Sequence, residues 1–182
     1  ETRRIGRIAI DPVNPQRVFV AAAGGVYTPD EFRGVYRSTD GGTSWTKLAG
    51  GLPTTTVGRI ALALSPSLPS TIYALIANSA DSSGGSASTK NVYKTTNGGT
   101  SWTTTNPGNF QATYGWYLCT AIVHPTNSNT VIVGGLDLLK TINGGTNWTY
   151  ITPTHVDMHA LAWDAAGRLL VGDDGGVERT SN

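Results

Sequence analysis

Apolar residues along this chain fall in short runs, not at helical spacing. Arg17-Val-Phe-Val-Ala-Ala-Ala23, Thr71-Ile-Tyr-Ala-Leu-Ile-Ala77 and Asn129-Thr-Val-Ile-Val133 are rich in β-branched and aromatic side chains and are flanked by Gly, Pro, Asn or Asp. Short apolar runs bounded by turn formers predict buried strands. Each run follows another shared segment: Gly6-Arg-Ile-Ala-Ile-Asp-Pro12, Gly58-Arg-Ile-Ala-Leu-Ala-Leu-Ser-Pro66, Cys119-Thr-Ala-Ile-Val-His-Pro125 and, in shorter form, His159-Ala-Leu-Ala-Trp-Asp164. No stretch carries the i, i+3, i+4, i+7 pattern of an amphipathic helix, so an all-β fold is expected.

A third segment closes each unit. Arg37-Ser-Thr-Asp-Gly-Gly-Thr-Ser-Trp45, Lys94-Thr-Thr-Asn-Gly-Gly-Thr-Ser-Trp102 and Lys140-Thr-Ile-Asn-Gly-Gly-Thr-Asn-Trp148 are copies of one box, and a fourth starts at Arg179-Thr-Ser-Asn182. The tryptophans stand 57 and 46 residues apart, near the period of about 40 to 50 at which four-stranded propeller blades recur. Every unit therefore reads strand, turn, strand, loop, strand, box, strand. The predicted blades run over roughly 1–48, 49–105, 106–150 and 151–182, the last incomplete.

The box has its own physics. Asp40, Asn97 or Asn143 folds its side chain onto backbone N–H groups, the Gly-Gly pair supplies positive φ, and the tryptophan fastens the turn to the sheet. Ser38, Asp40, Gly42, Trp45, Asn97, Gly99, Trp102, Asn143, Gly145 and Trp148 are accordingly read as structural. Asn147-Trp-Thr149 matches a glycosylation sequon, but it lies inside a box and is read as coincidence.

With Ser38, Asp40, Gly42, Ser44 and Trp45, the pattern resembles the Asp-box, or bacterial neuraminidase (BNR) repeat, of sialidases, sortilin-type receptors, xyloglucanases and secreted bacterial proteins. Arg4-Ile-Gly-Arg-Ile-Ala-Ile-Asp-Pro12, Arg33-Gly-Val-Tyr-Arg-Ser-Thr-Asp-Gly-Gly42, His155-Val-Asp-Met-His-Ala-Leu161 and Gly172-Asp-Asp-Gly-Gly-Val177 resemble the sortilin/VPS10-like bacterial proteins often labelled glycosyl hydrolase. The resemblance implies a β-propeller of four-stranded antiparallel blades and a secreted, extracellular or periplasmic location. Propellers of this kind have six or more blades, so the chain is read as part of a larger ring. Self-association into a ring and a compact four-bladed propeller are the alternatives.

Composition narrows the partners. Charged residues make up 14% of the 182 residues and the formal net charge is +1, with no Lys/Arg run, so the footprint of a nucleic-acid binder is missing. No apolar run approaches the ~20 residues that cross a bilayer; the chain is read as soluble, with any targeting segment removed. Its single cysteine, Cys119, sits in an apolar segment and is read as an inert strand residue.

In a propeller whose boxes lie between third and fourth strands, the loops from second to third strand and from blade to blade share the opposite face. Gly24–Arg33, Asn78–Lys90, Asn106–Tyr117 and Ile151–Val156 are therefore expected to form the functional face. Within the second lies a low-complexity stretch, Ser79–Thr89, read as mobile. Strand alternation over 155–159 would put His155, Asp157 and His159 on one face lining the central channel, as candidate ligands for a divalent metal or, for the histidines, for another bound group. Asp157, Asp173 and Asp174 are the candidate catalytic carboxylates; the alternative is a hydrogen-bonded polar plug. Tyr114, Trp116 and Tyr117, with Phe110 nearby, either stack a ligand or cap the core, and Asp30 and Glu31 mark a solvated loop.

Three functions follow. One is a secreted recognition propeller binding a glycan or a protein segment. A second is a glycoside hydrolase of the xyloglucanase/sialidase-like superfamily, which needs two carboxylates about 5 to 10 Å apart. The third is a structural assembly module.

Overall fold

The computed structural model describes residues 4–27, 30–80, 87–152 and 155–181. They form four antiparallel sheets in chain order. The first contains β1 (Ile5–Ile10), β2 (Val18–Ala22), β3 (Gly34–Ser38) and β4 (Thr46–Lys47). The second contains β5 (Val57–Leu64), β6 (Ile72–Asn78), β7 (Thr89–Thr95) and β8 (Thr103–Thr104). In the third lie β9 (Thr120–His124), β10 (Asn127–Gly134), β11 (Leu138–Thr141) and β12 (Thr149–Ile151), and in the fourth β13 (Ala160–Trp163), β14 (Leu169–Asp173) and β15 (Gly176–Arg179). Each sheet is a meander of sequential strands, the blade of a β-propeller.

Burial explains why the second strand of each blade reads as a continuous apolar run. Phe19, Ala21 and Val35 meet Leu62, Ile72 and Ile76 in a seam between the first and second sheets. Tyr73, Leu75 and Val92 meet Val123, Val131 and Val133 between the second and third, and Ile132 and Leu138 meet Met158, Leu169 and Val171 between the third and fourth. A central strand covered on both faces is apolar at every position, which is the pattern of β2 and most of β6.

The boxes fold as their chemistry requires. Asp40 Oδ1 accepts from the Ser44 N–H at 2.9 Å and from Ser38 Oγ at 2.7 Å, while the Gly42 N–H donates to Ser38 Oγ at 2.8 Å. Asn97 and Asn143 accept the Ser101 and Asn147 N–H groups through Oδ1, both at 3.0 Å. An amide oxygen thus takes over the carboxylate's backbone contact, because only one oxygen serves the backbone. Gly41 and Gly42 take φ values of 72° and 98°, open to glycine at no steric cost.

The tryptophans do not all fasten their turns equally. Trp102 is 5% exposed in the first seam and donates Nε1–H to the Gly99 carbonyl at 3.2 Å. Trp148 packs partly buried on the second seam, and its Nε1 is buried without a partner. Trp45 is 42% exposed, because each box tryptophan packs toward the preceding blade and no described sheet covers that side of the first.

Candidate functional site

The first strands β1, β5, β9 and β13 lie side by side, each at the end of its sheet. Arg7, Arg59, Cys119, Thr120, His159 and Ala160 border one cavity of about 220 Å³ at their entrance, so these strands face a shared channel. The boxes lie between third and fourth strands; the loops expected to form the other face contact one another as described below.

Residues 155–159 depart from expectation. They are irregular, β13 beginning only at Ala160. Asp157 has a left-handed φ of 68°, and its N–H and that of Met158 donate to the carbonyls of Leu136 and Gly135. This fold-back drives Met158, fully buried, into the third seam. The alternation that would have placed His155, Asp157 and His159 on one face is therefore absent, and among the described residues no three His, Cys, Asp or Glu side chains gather as a metal site. The proposed metal set is corrected accordingly: His155 turns its Nδ1 to the Val156 carbonyl at 3.1 Å and packs beside Gly175.

His159 goes elsewhere. Its Nε2 lies 2.6 Å from Asp174 Oδ1, and its ring meets Tyr117 edge-on at 5.3 Å. Tyr117 packs on Trp116 at 5.5 Å and Trp116 on Tyr27 at 5.9 Å. Loops from the first blade, the second-to-third connection and the fourth blade thus join in one row: Tyr27, Trp116, Tyr117, His159, Asp174. Tyr27 and Tyr117 are 43% and 52% exposed, so the row opens to solvent. Tyr114 is exposed, its backbone tied to Ala87 by a parallel bridge, whereas Phe110 is buried in the second seam.

Of the candidate carboxylates, Asp173 is 9% exposed. Its Oδ1 accepts from the Gly175 N–H at 2.9 Å and its Oδ2 is buried without a partner; Asp157 Oδ1 is likewise buried and unpartnered. Orphaned carboxylate oxygens cost free energy unless something meets them. Asp30 caps its own loop by accepting from the Phe32 N–H. Burial pushes the Cys119 thiol up to about 12, which keeps it protonated and removes it as a nucleophile. Parts of three expected loops, residues 28, 29, 81–86, 153 and 154, lie outside the described residues, as does most of the stretch read as mobile.

Strain marks the same face. Arg4, Thr56, Asn106, Ala112 and Asp157 are the described non-glycine residues with positive φ, and all lie before a first strand or in a blade-to-blade connection. Such conformations persist where the surrounding structure enforces them, often at binding sites. Tyr27 and Arg59 were absent from the sequence candidates; the signal available for Arg59 was the repeated Gly-Arg-Ile-Ala of 6–9 and 58–61.

No family model matches the chain, and no curated protein does. Solved structures do. The GH74 enzyme of Niastella koreensis superposes with a TM-score of 0.69 at 21% identity, over 94% of this chain and 26% of that one. The GH74 xyloglucanase of Xanthomonas campestris gives 0.68 at 16%, over 98% and 28%. YCF48 bound to D1 peptide gives 0.59 at 13%, over 95% and 49%. At these identities the likeness establishes the β-propeller fold, and the chain spans about a quarter to a half of these proteins.

Proposed function

We propose that this chain is part of an exported recognition propeller that binds a glycan or a protein segment across the face opposite its boxes. The observation that carries the reading is the row from Tyr27 through Trp116 and Tyr117 to His159 and Asp174. Flat, partly exposed rings from three parts of the chain offer a stacking surface at small entropic cost, and the polar end orients what lies on it. The boxes support membership of the Asp-box, sortilin-like group, and export is inferred from that resemblance. Neighbours that act on xyloglucan or hold a peptide are compatible with a ligand on this face.

Glycan and peptide arrays probed with the chain and with Trp116→Ala and Tyr117→Ala test the reading. Array signals that drop at least tenfold in both variants, with unchanged melting temperature, are expected. Signals indifferent to both variants would refute it.

A second reading has one observation of its own. Asp157 Oδ1 and Asp173 Oδ2 are buried carboxylate oxygens that no structural hydrogen bond occupies, and a glycoside hydrolase needs two such carboxylates. Release of reducing sugar from xyloglucan, abolished by Asp157→Asn or Asp173→Asn, would favour hydrolysis over recognition.

A further inference from the structure

The recognition face carries a charge pattern that aromatic stacking does not use. The register of β1 against β2 slips at Gly6, between Ile5 and Arg7, and that of β5 against β6 slips between Val57 and Ile60, at Gly58 and Arg59. Bulges re-aim side chains. Here they bring an arginine to the channel entrance in two successive blades, since Arg7 and Arg59 border its cavity together with His159. Arg59 and Arg4 also border a neighbouring cavity of about 350 Å³, whose lining includes Trp116, Gly6, Gly24 and Gly58.

Among the described residues, Arg4, Arg7 and Arg59 have no ion-pair or hydrogen-bond partner for their guanidinium groups. Of the described carboxylates of this face, Asp174 engages His159 and Asp30 lies against Gly24 and acts on Arg33, while Asp157 and Asp173 each keep one buried, unpartnered oxygen and form no ion pair with these arginines. Among the described residues these three cations lack counter-charges along two adjoining cavities, an arrangement that attracts an anion, and the planar fork of Arg matches a carboxylate with two parallel hydrogen bonds.

The wall beside these arginines is made of sheet edges. β1, β5, β9 and β13 each end their sheet, leaving their outer N–H and C=O groups without a strand partner. Edge strands pair with extended polypeptide, a row of alternating donors and acceptors that a sugar chain does not reproduce. We infer that the ligand of this face is an acidic polypeptide segment, its backbone along the first-strand edges and its carboxylates held by Arg4, Arg7 and Arg59. The inference rests on the proposed recognition function and names its ligand class.

Calorimetric titration of the full chain with a capped oligoglutamate peptide, a capped oligoglutamine peptide and oligogalacturonate tests it. Oligoglutamate is expected to bind, oligoglutamine is not, and Arg4→Gln, Arg7→Gln and Arg59→Gln each weaken binding about tenfold, as loss of a charge-assisted contact does. Added salt should weaken binding further. Failure of oligoglutamate to bind, or binding that the three variants leave unchanged, overturns the inference. Preferred binding of oligogalacturonate, lost in the same variants, overturns the polypeptide class. If array ligands still depend on Trp116 while oligoglutamate does not bind, this inference falls and the recognition reading stands.

Discussion

Two box tryptophans that look equivalent in the sequence should respond unequally to the same substitution. Trp102→Phe removes part of a ring that is 5% exposed and a hydrogen bond from Nε1 to the Gly99 carbonyl. Lost packing in a partly relaxing site costs about 1–2 kcal/mol, and the net hydrogen bond about 1 kcal/mol, so a loss of about 2–3 kcal/mol is expected. Trp148→Phe removes a less buried ring and, with it, a buried N–H that has no partner. Relief of that group returns about 1–3 kcal/mol, which offsets the packing loss and leaves stability near that of the parent. The separation between the variants is therefore about 2 kcal/mol or more, or about 4–8 °C in melting temperature for a chain of this size. Differential scanning calorimetry measures it without relying on the fluorescence that the substitutions alter. If Trp148→Phe melts as low as Trp102→Phe, the orphaned indole has no energetic weight and the argument fails.

Two further predictions concern titration and reactivity. The Ser44 hydroxyl and N–H, then Ser38, hold the Asp40 carboxyl well below the usual carboxylate range. A depressed folded-state pKa contributes stability that is present above the unfolded value of about 4 and is lost as pH falls through the folded value. Melting temperature should therefore drop on acidification below about pH 4, and Asp40→Asn should flatten that limb; an unchanged acid profile in the variant would contradict the assignment. Cys119, half-buried in the wall of the channel cavity with its thiol pushed up to about 12, should react more slowly with a thiol-disulfide reagent at pH 8 in the folded chain than after unfolding. Rapid modification of the native chain would show that the thiol is not shielded.

The all-β fold and its repeat were legible because their causes are local. A Gly-Gly pair after Asp40, Asn97 or Asn143 can close its turn using hydrogen bonds within nine residues, so each copy announces itself in isolation. Alternation and apolar runs identify strands for a comparable reason, since a second strand packed between two neighbouring sheets, as β6 and β10 are, is covered on both faces. Tyr114, Trp116 and Tyr117 were singled out as odd residues in a connection, and two of them, Trp116 and Tyr117, do join a row.

What the sequence by itself determined is thus the unit: strand order, turn chemistry, and which face carries the irregular loops. Tertiary structure decided how the units meet. His155-Val-Asp-Met-His159 alternates as a strand would, yet Met158 is worth more buried between two sheets than exposed on a strand, and Asp157 adopts a left-handed backbone to put it there. That choice removes the alternation, and the two histidines meet the 173–176 turn singly, His155 beside Gly175 and His159 on Asp174. Likewise Tyr27, Trp116 and His159 are far apart in the chain, and only the packing of one blade on the next brings them into one row. Local hydrogen bonds write themselves into short motifs, whereas burial between sheets depends on residues that no short window contains.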